Sequence, residues 1–542
     1  MSNKIIKGTM MLTGAAFLSK FLGMIYVIPF NEIVGYQGMA LYYYAYNPYT
    51  ILISISTIGI PLAVSKIVSR YNSLGYYDTG IKVFKASLIL MVVTGFMAFL
   101  ILYFGSEWFA ARFTDEDMKG NSIADVAKVM RMVSFALLVI PGMSVFRGFL
   151  QGNEMMHPTA ISQVVEQIVR VVFVLVSAYL IISVYNESIT LAVSYATFAA
   201  LIGALASCVV LLRYWRQIKP QLDYQRQAQE KKLNISMKSL SIELLSYAGP
   251  FVLVGIAIPL YQAVDSFTFN KAMVIAGYKE IAELALATIN MNGHKLISIP
   301  ITIATGLSLT IVPALTSSFT NNDWKKLNKE INQALQIVLL LVIPSIVGLS
   351  ALAPEAYGAL FGMANLDFTG NLLAWYSPVA LLFALYTVTA AILQGVNEQR
   401  FALISLAAGF LIKLICNSVF IHMIGAKGSI FATGLAVIVA VSLNLIKIYR
   451  SIEFNFIQTL KRTLFMVIFS GVMLLIILLL KKGLIFVLPF DTSRFAAAVM
   501  LGIGVCVGAV VYLYLTYKST LLDFVLGDTN ILSRFRRKSH AD

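Results

Sequence analysis

Charged side chains that interrupt long apolar segments are the residues of this chain most able to do chemistry. Lys20 lies near the middle of one such segment, and Lys295 lies near the start of another. Neither lysine has an acidic residue at i±3 or i±4 to neutralise it within one helix. A charge in lipid is costly and is usually retained where it faces a cavity. The lysines therefore predict a positive site within a membrane, suited to an anion such as a phosphate. The alternative is that each amine extends to the membrane interface.

Other charges also lie within apolar segments. Glu166 and Arg170 have i,i+4 spacing, which predicts an ion pair on one helix face. Asp265 and Lys413 otherwise lack partners in the C-terminal half, so they are predicted to pair with each other. We assign these four residues to gating or to pairing between the two halves of the chain. Arg147, which closes another apolar segment, joins the lysines in the predicted anion-binding set.

Motifs typical of enzymes are missing from the sequence. There is no P-loop, no H-E-x-x-H motif and no cluster of cysteine and histidine. The three cysteines, Cys208, Cys416 and Cys506, all lie in apolar runs, where packing is their expected role. The sequence therefore predicts a protein that is not an enzyme and has no resident cofactor or metal.

The composition excludes a soluble enzyme. Of the 542 residues, 59% are hydrophobic and only 12% are charged, whereas soluble domains carry about 25% charged residues. Disorder is excluded as well, because it requires low hydrophobicity. The formal net charge of +15 is interpreted as basic loops on the cytoplasmic side of a membrane, and no nucleic acid partner is expected.

Fourteen segments are long and apolar enough to span a bilayer, for which a helix needs about 20 residues. Two of them, 41–68 and 288–318, carry polar residues that suit a wet cavity better than lipid. The predicted spans are 8–33, 41–68, 83–104, 125–150, 158–184, 190–213, 243–267, 288–318, 331–353, 372–394, 401–423, 428–449, 459–481 and 494–517.

The lysines and arginines of the loops determine the predicted orientation. Most of them fall on the side that carries both termini, which places both termini in the cytoplasm of a bacterial cell. The longest polar loop divides the chain into two parts. The predicted domains are an N-lobe (1–215), a cytoplasmic linker (216–240), a C-lobe (241–450), helices 13 and 14 (451–520) and a basic cytoplasmic tail (521–542).

The two halves of the chain resemble each other. At a constant offset of 243, Leu150-Gln151-Gly152 matches Leu393-Gln394-Gly395, and Arg170 matches Lys413. The shift of six helices is even, so both copies have the same orientation and a symmetry axis along the membrane normal. The predicted fold is an all-α integral membrane protein of 14 transmembrane helices, with two parallel six-helix repeats and two extra C-terminal helices.

Prolines interrupt the same members of both predicted repeats. Pro29 and Pro61 lie in helices 1 and 2, and Pro259 and Pro313 lie in helices 7 and 8. A proline removes one helical hydrogen bond and bends the helix. Breaks at matching positions of two halves point to a central transport site, although ordinary kinks are also common in membrane helices.

Several stretches resemble a known family. They are SKFLG (19–23), IGIPLAVSKIVSRYNSLG (58–75), RGFLQGNEMMHPTAISQVVEQIVR (147–170) and AILQGVNEQRFALIS (391–405). They are similar to the polysaccharide-biosynthesis branch of the MOP exporter superfamily, and within it to the lipid II flippases of the MurJ type in their YtgP-like form. The resemblance covers essentially the whole chain.

The resemblance implies a two-lobed bundle whose central cavity is lined by helices 1, 2, 7 and 8. By alternating access, it would carry an undecaprenyl-pyrophosphate-linked sugar–peptide outward. Lys20 and Lys295 match basic cavity positions of the family, and Tyr26 stands at a second helix 1 position that is basic in other members. Helices 13 and 14 would form a groove for the lipid tail.

The family also implies how transport is driven. Some members bind sodium among helices 7, 11 and 12, where Asp265 and Asn417 are the weak metal-ligand candidates of this chain. Lys413 could instead fill that site with its own charge. A coupled ion or the membrane potential is therefore the expected driving force. The potential contributes about 2.3 kcal/mol per charge per 100 mV, and an inside-negative potential favours outward movement of an anion.

Other functions remain open on the sequence alone. A flippase for another polyprenyl-linked glycan, such as a capsule, teichoic or spore-cortex precursor, would need nearly the same cavity. A multidrug exporter for cations would need acidic cavity residues, which the lysines disfavour. A membrane glycan polymerase or ligase would need catalytic groups on sizeable outer loops, which contain acids but no recognisable constellation. A scaffold in division or sporulation would tolerate neutralisation of the two lysines. Expected partners are lipid II or a related glycolipid, membrane lipids and cell-wall synthesis proteins.

Overall fold

The computed structural model of the chain describes residues 3–57, 59–114, 120–229, 233, 235–486 and 488–526. All regular structure in these ranges is helical, so the predicted all-α class is confirmed. The chain forms two compact units, 1–287 and 288–542. The predicted C-lobe begins at 241, within the first unit, and the lobes stay a prediction. Most of the predicted basic tail (527–542) lies outside the described residues.

The N-terminal unit contains twelve α-helices in the described ranges, with a 3-10 segment at Phe135–Leu138 and a π segment at Leu180–Val184. The α-helices are α1 (Asn3–Ile25), α2 (Val27–Thr57), α3 (Ile60–Ser73), α4 (Tyr77–Phe104), α5 (Ser106–Phe113), α6 (Ile123–Ser134), α7 (Ile140–Gly152), α8 (Met156–Tyr179), α9 (Ile189–Gln227), α10 (Met237–Gly255), α11 (Ala257–Ile275) and α12 (Ala282–Ala287).

The C-terminal unit contains ten α-helices in its described part, and a π segment at Thr288–Gly293 precedes them. They are α13 (His294–Thr320), α14 (Trp324–Ala351), α15 (Ala353–Phe361), α16 (Leu366–Tyr376), α17 (Val379–Gly395), α18 (Gln399–Ile424), α19 (Lys427–Ile452), α20 (Ile457–Leu484), α21 (Arg494–Lys518) and α22 (Leu521–Leu526).

Eleven helical stretches among the described residues are long and apolar enough to cross a membrane. The chain is therefore a multi-pass membrane protein. The first two predicted spans are joined in a single stretch, Gly14–Ser54. The spans predicted at 243–267 and 288–318 form helices but are not among the eleven, and the count of fourteen stays a prediction.

Three of the four singled-out prolines lie just after a helix boundary. α1 and α2 are separated at Tyr26, three residues before Pro29, and Pro61 lies in the first turn of α3. Pro259 lies in the first turn of α11. The first turn tolerates proline because its N–H groups have no partner within the helix. Pro313 differs from these three, because α13 continues through it from His294 to Thr320.

Gly35 forms the turn between the first two predicted spans. Its φ of 65° and ψ of −175° interrupt α2, whose residues are helical on both sides. This conformation is accessible to glycine and strained for residues with a Cβ. Predicted helix 1 therefore ends at this glycine, and predicted helix 2 begins directly after it.

The two C-terminal membrane helices, α20 and α21, pack against α14. Leu339 and Leu340 of α14 belong to the same buried cluster as Met473 of α20 and Met500 of α21. The hydroxyl of Tyr512 donates to the Leu340 carbonyl oxygen at 3.0 Å. α20 and α21 are therefore fixed to the C-terminal unit by apolar packing and by hydrogen bonds to backbone.

Two glycines of α21 offer a matched test of this packing. A Cβ at Gly504 would lie 2.8 Å from Leu352 Cδ1, whereas a Cβ at Gly502 would meet no atom within 4 Å. We expect Gly504→Val to destabilise the protein by about 1–3 kcal/mol through overpacking. Thermal unfolding of the detergent-purified protein measures the effect. Gly502→Val is the control, and equal melting temperatures for the two variants would contradict the packing.

Candidate functional site

Lys20 lies on the exposed part of α1. The neighbouring Ser19 is buried, and its hydroxyl donates to the carbonyl oxygen of Gln163 on α8 at 3.3 Å. One turn later, a Cβ at Gly23 would lie 3.1 Å from the side-chain amide of Gln167. This face of α1 therefore packs closely on α8, while the Lys20 side chain is exposed.

Lys295 is the second residue of α13 in the C-terminal unit and is half-buried. It directly follows the π segment Thr288–Gly293 and the half-buried His294, whose Nδ1 lies 3.2 Å from the Tyr376 hydroxyl. Such π-helical turns are rare and often occur at functional sites. Lys20 belongs to the other unit, and the convergence of the two lysines stays a prediction.

Tyr26 is buried in an aromatic cluster of the N-terminal unit. Its hydroxyl lies 3.2 Å from the Tyr42 hydroxyl, and the Tyr42 ring stacks on Tyr46 with centroids 4.9 Å apart. Phe30 contacts Tyr42 edge-on at 5.5 Å. The residue at the second predicted helix 1 position is thus a buried, hydrogen-bonded hydroxyl, in contrast to the exposed Lys20.

Glu166 lies between two arginines in the N-terminal unit. Its carboxylate oxygens are 2.9 Å from Arg170 Nη2 and 2.7 Å from Arg147 Nη2. Arg147 also donates to the hydroxyls of Ser162 at 3.1 Å and Ser207 at 2.9 Å. The pairing expected from the i,i+4 spacing of Glu166 and Arg170 is present. The cluster has one acid and two bases, so it carries a formal charge of +1.

Arg147 was placed in the predicted anion-binding set, and here its guanidinium binds Glu166 and two serine hydroxyls. Nothing in the sequence links Arg147 to Glu166, because 19 residues separate them. Their contact depends on α7 packing beside α8. The gating role of the cluster stays a prediction.

Lys413 is fully buried in the C-terminal unit. Its ammonium donates to the Ser429 carbonyl oxygen at 3.0 Å, the Ser429 hydroxyl at 3.2 Å and the Thr433 hydroxyl at 2.7 Å. Three acceptors match the three N–H groups of the ammonium. Ser429 and Thr433 were missed by the sequence analysis, because a hydroxyl in an apolar helix has no distinctive pattern.

The weak metal candidates are also buried. Asn417 lies one turn after Lys413 on α18, and Asp265 lies on α11 of the N-terminal unit. The pairing of Asp265 with Lys413 stays a prediction. Ser429 and Thr433 accept hydrogen bonds from the Lys413 ammonium, and the sodium site stays a prediction. Within the described ranges, no group of three or more His, Cys, Asp or Glu residues could hold a metal ion.

An apolar cavity lies in the C-terminal unit beside one of the two predicted groove helices. Its volume is about 220 Å³, and it is bordered by α14, α20 and the residue before α17. The lining residues are Ile346, Val347, Ser350, Ala351, Pro378 and Leu474. This lining suits a hydrocarbon chain better than a polar group.

The charge balance around Glu166 gives a testable prediction. Glu166→Ala would leave two arginines without their acid, and removal of one partner from a buried ion pair costs about 3–5 kcal/mol. Arg170→Ala should cost less, because Arg147 and Glu166 remain paired. Thermal unfolding in detergent compares the two variants, and a larger loss for Arg170→Ala would contradict the central position of the carboxylate.

Comparisons with known proteins agree with this fold. The model of the polysaccharide biosynthesis protein family matches residues 5–319. The chain is 44% identical to the lipid II flippase MurJ of Bacillus subtilis (strain 168) over 544 residues, which covers 100% of both chains.

Solved structures also share the fold. A lipid II flippase MurJ in an inward closed conformation is similar with a TM-score of 0.67 and 16% identity, over 95% of this chain and 99% of that chain. An inward-facing multidrug resistance MATE family transporter of the MOP superfamily is similar with a TM-score of 0.65 and 15% identity, over 79% of this chain and 94% of that chain. The chain therefore belongs to the polysaccharide biosynthesis protein family and, within it, to the MurJ group.

Proposed function

We propose that the chain is a lipid II flippase rather than an enzyme. It transfers the undecaprenyl-pyrophosphate-linked peptidoglycan precursor from the inner to the outer leaflet by alternating access. The observation that carries this proposal is the 44% identity to a lipid II flippase over the full length of both chains. The helical architecture and the scarcity of charge suit a carrier that works within the bilayer.

A cationic cavity is the proposed binding site for the pyrophosphate. The cargo must cross about 30 Å of hydrocarbon, and amines replace part of the hydration that the phosphates lose. Lys20 and Lys295 supply the charge of this proposed cavity. Tyr26 and Arg147 are proposed as further members of the set, acting through their hydrogen-bonded neighbours.

The proposed architecture has 14 helices, with two parallel six-helix repeats that form the N- and C-lobes. Two matching turns support the repeat at its offset of 243. Glu154 and Asn397 both have left-handed backbones, with φ of 60° and 61°. In each turn the following N–H donates back to a leucine carbonyl oxygen, from Met155 at 2.9 Å and from Glu398 at 2.7 Å.

Both termini are proposed to lie in the cytoplasm of a bacterial cell. The support is the bias of basic loop residues, which is the established determinant of orientation. α9 has 39 residues and is therefore about 58 Å long, nearly twice the hydrocarbon thickness. Its C-terminal part would extend into the cytoplasm with Arg213, Arg216 and Lys219 exposed.

The membrane potential is the proposed driving force, without a bound sodium ion. The support is the Lys413 ammonium, which occupies the oxygens that a small cation would use. An inside-negative potential favours outward transfer of the anionic cargo. The apolar cavity beside α20 supports a lipid-tail path along helices 13 and 14. Interaction with cell-wall synthesis proteins remains an expectation.

Depletion in cells tests the proposed function. We expect lipid II to disappear from the outer leaflet and to accumulate on the inner one, and the chain to restore growth when it is expressed again. If a different polyprenyl-linked glycan is lost while lipid II in the outer leaflet stays normal, the result would instead indicate that the chain is a flippase for that glycan. Unchanged levels of both classes would contradict the proposal.

Charge reversal at the two lysines tests the cavity. We expect Lys20→Glu and Lys295→Glu each to reduce lipid II transfer to background, because a carboxylate repels the pyrophosphate. Lys20→Arg and Lys295→Arg should retain transfer. The exposed Lys279 of the predicted outer segment provides the control Lys279→Glu. Full transfer by either reversed variant, at normal expression, would contradict the site.

Ion dependence tests the role of Lys413. We expect equal rates of lipid II transfer in sodium and in potassium media, and lower rates when the membrane potential is dissipated. Vesicles with imposed ion gradients and potentials separate the two effects. Transfer that follows the sodium gradient at constant potential would show that the buried ammonium does not replace an ion.

A further inference from the structure

We propose that a buried ladder of hydrogen bonds between α2 and α11, completed by Glu283, is a latch that closes the outer end of the N-terminal unit. This end carries α5 and the beginning of α12. It faces outward in the proposed orientation, so the inference rests on the proposed function. Opening of the latch would be the step that admits the outer solution to the transport path.

The ladder begins with two neighbouring tyrosines of α2. The Tyr43 hydroxyl donates to the Gln262 carbonyl oxygen at 2.8 Å and accepts from the Ser266 hydroxyl at 3.2 Å. The Tyr44 hydroxyl accepts from the Asn270 side-chain amide at 2.6 Å. Residues 262, 266 and 270 follow i,i+4 spacing, so they form one row on α11.

The ladder then reaches the connection around α5. Asn270 also donates to the carbonyl oxygen of Phe113, the last residue of α5. After the undescribed residues 115–119, Asn121 donates to Glu283 from its backbone N–H at 3.0 Å and from its side chain at 3.0 Å. The same side chain donates to the Gln37 carbonyl oxygen at 3.0 Å. α2, α5, α11 and α12 are thus joined by polar contacts.

The ladder is nearly dry. Tyr43, Tyr44, Ser266, Asn270 and Glu283 each expose no more than 4% of their surface. Buried hydrogen bonds of this kind are costly to break without water to replace them. Opening would therefore be cooperative, because water must enter the whole row before any single contact is replaced.

Glu283 is the acidic member of the ladder. It lies outside the predicted membrane spans. Burial raises the pKa of its carboxyl, and the nearby Asp125 adds to the rise, while the two Asn121 donors oppose it. A Cβ at Gly120 would clash with the Glu283 carboxylate. The 120–121 segment therefore lies directly against this carboxylate.

The neighbouring helices α3 and α10 carry an ion pair at the proposed inner end. There, Arg70 of α3 forms an ion pair with Glu243 of α10, and the two side chains are 44% and 24% exposed. Exposed ion pairs contribute little to stability because water screens them. The helix break at Ile256 lies between the two ends. This ion pair should therefore break more readily than the buried contacts of the latch.

Cysteine labelling in membranes tests the latch by the accessibility of one residue, and the measurement does not require transport of lipid II. The parent protein has its three native cysteines replaced and carries Ala263→Cys, a buried position on α11. A membrane-impermeant maleimide is added to intact cells and to inverted vesicles. We expect slow labelling of the parent and at least fivefold faster labelling from outside after Tyr43→Phe with Tyr44→Phe, which retains both rings.

Gly120→Leu should give the same increase, because the new side chain would clash with the Glu283 carboxylate and disturb its hydrogen bonds with Asn121. Glu243→Ala is the control, since it breaks the inner pair and should leave outside labelling unchanged. Unchanged labelling after both latch changes, in protein that remains folded by its melting temperature, would overturn the latch. Faster labelling from inverted vesicles alone would also overturn its outer position. Failure of the proposed function would instead appear in the lipid II assay.

Discussion

A charged or polar group in hydrocarbon must be satisfied by the protein itself, and this constraint governs the arrangement of the described helices. The Glu166 carboxylate lies between two guanidinium groups, and the Lys413 ammonium lies among hydroxyl and carbonyl oxygens. Outside the predicted spans, the buried Glu283 carboxylate likewise accepts two hydrogen bonds from Asn121. Lys20 differs from these three because its side chain is exposed. The role of its amine toward an anionic cargo stays a prediction.

Helical spacing predicts contacts within one helix and fails for contacts between helices. The pair of Glu166 and Arg170 follows from i,i+4 geometry alone. Arg147 joins them only because α7 packs beside α8, and the hydroxyls of Ser429 and Thr433 reach Lys413 only because α18 packs beside α19. The lysines within apolar segments predict a positive site, but no local rule predicts which side chains surround each amine.

The polar character of the 41–68 segment was interpreted as the lining of a wet cavity. Tyr43 and Tyr44 are instead buried and hydrogen-bonded to α11, because a phenol can bury its ring while its hydroxyl finds a partner. The prolines indicate helix boundaries correctly in two cases, since α2 begins within one turn before Pro29 and α11 begins within one turn before Pro259. α13 continues through Pro313, as membrane helices can when neighbouring groups satisfy the freed carbonyl.

The turn at Gly35 bears on how the first two predicted spans are joined. A Cβ there would meet no atom within 4 Å, so the need for glycine is one of backbone conformation and not of space. Only a short segment with the polar residues Asn31, Glu32 and Gln37 surrounds this kink, so no long hydrophilic loop separates the two helices. The backbone of one residue therefore sets how the two helices are joined. Any side chain with a Cβ would strain this junction whatever its size.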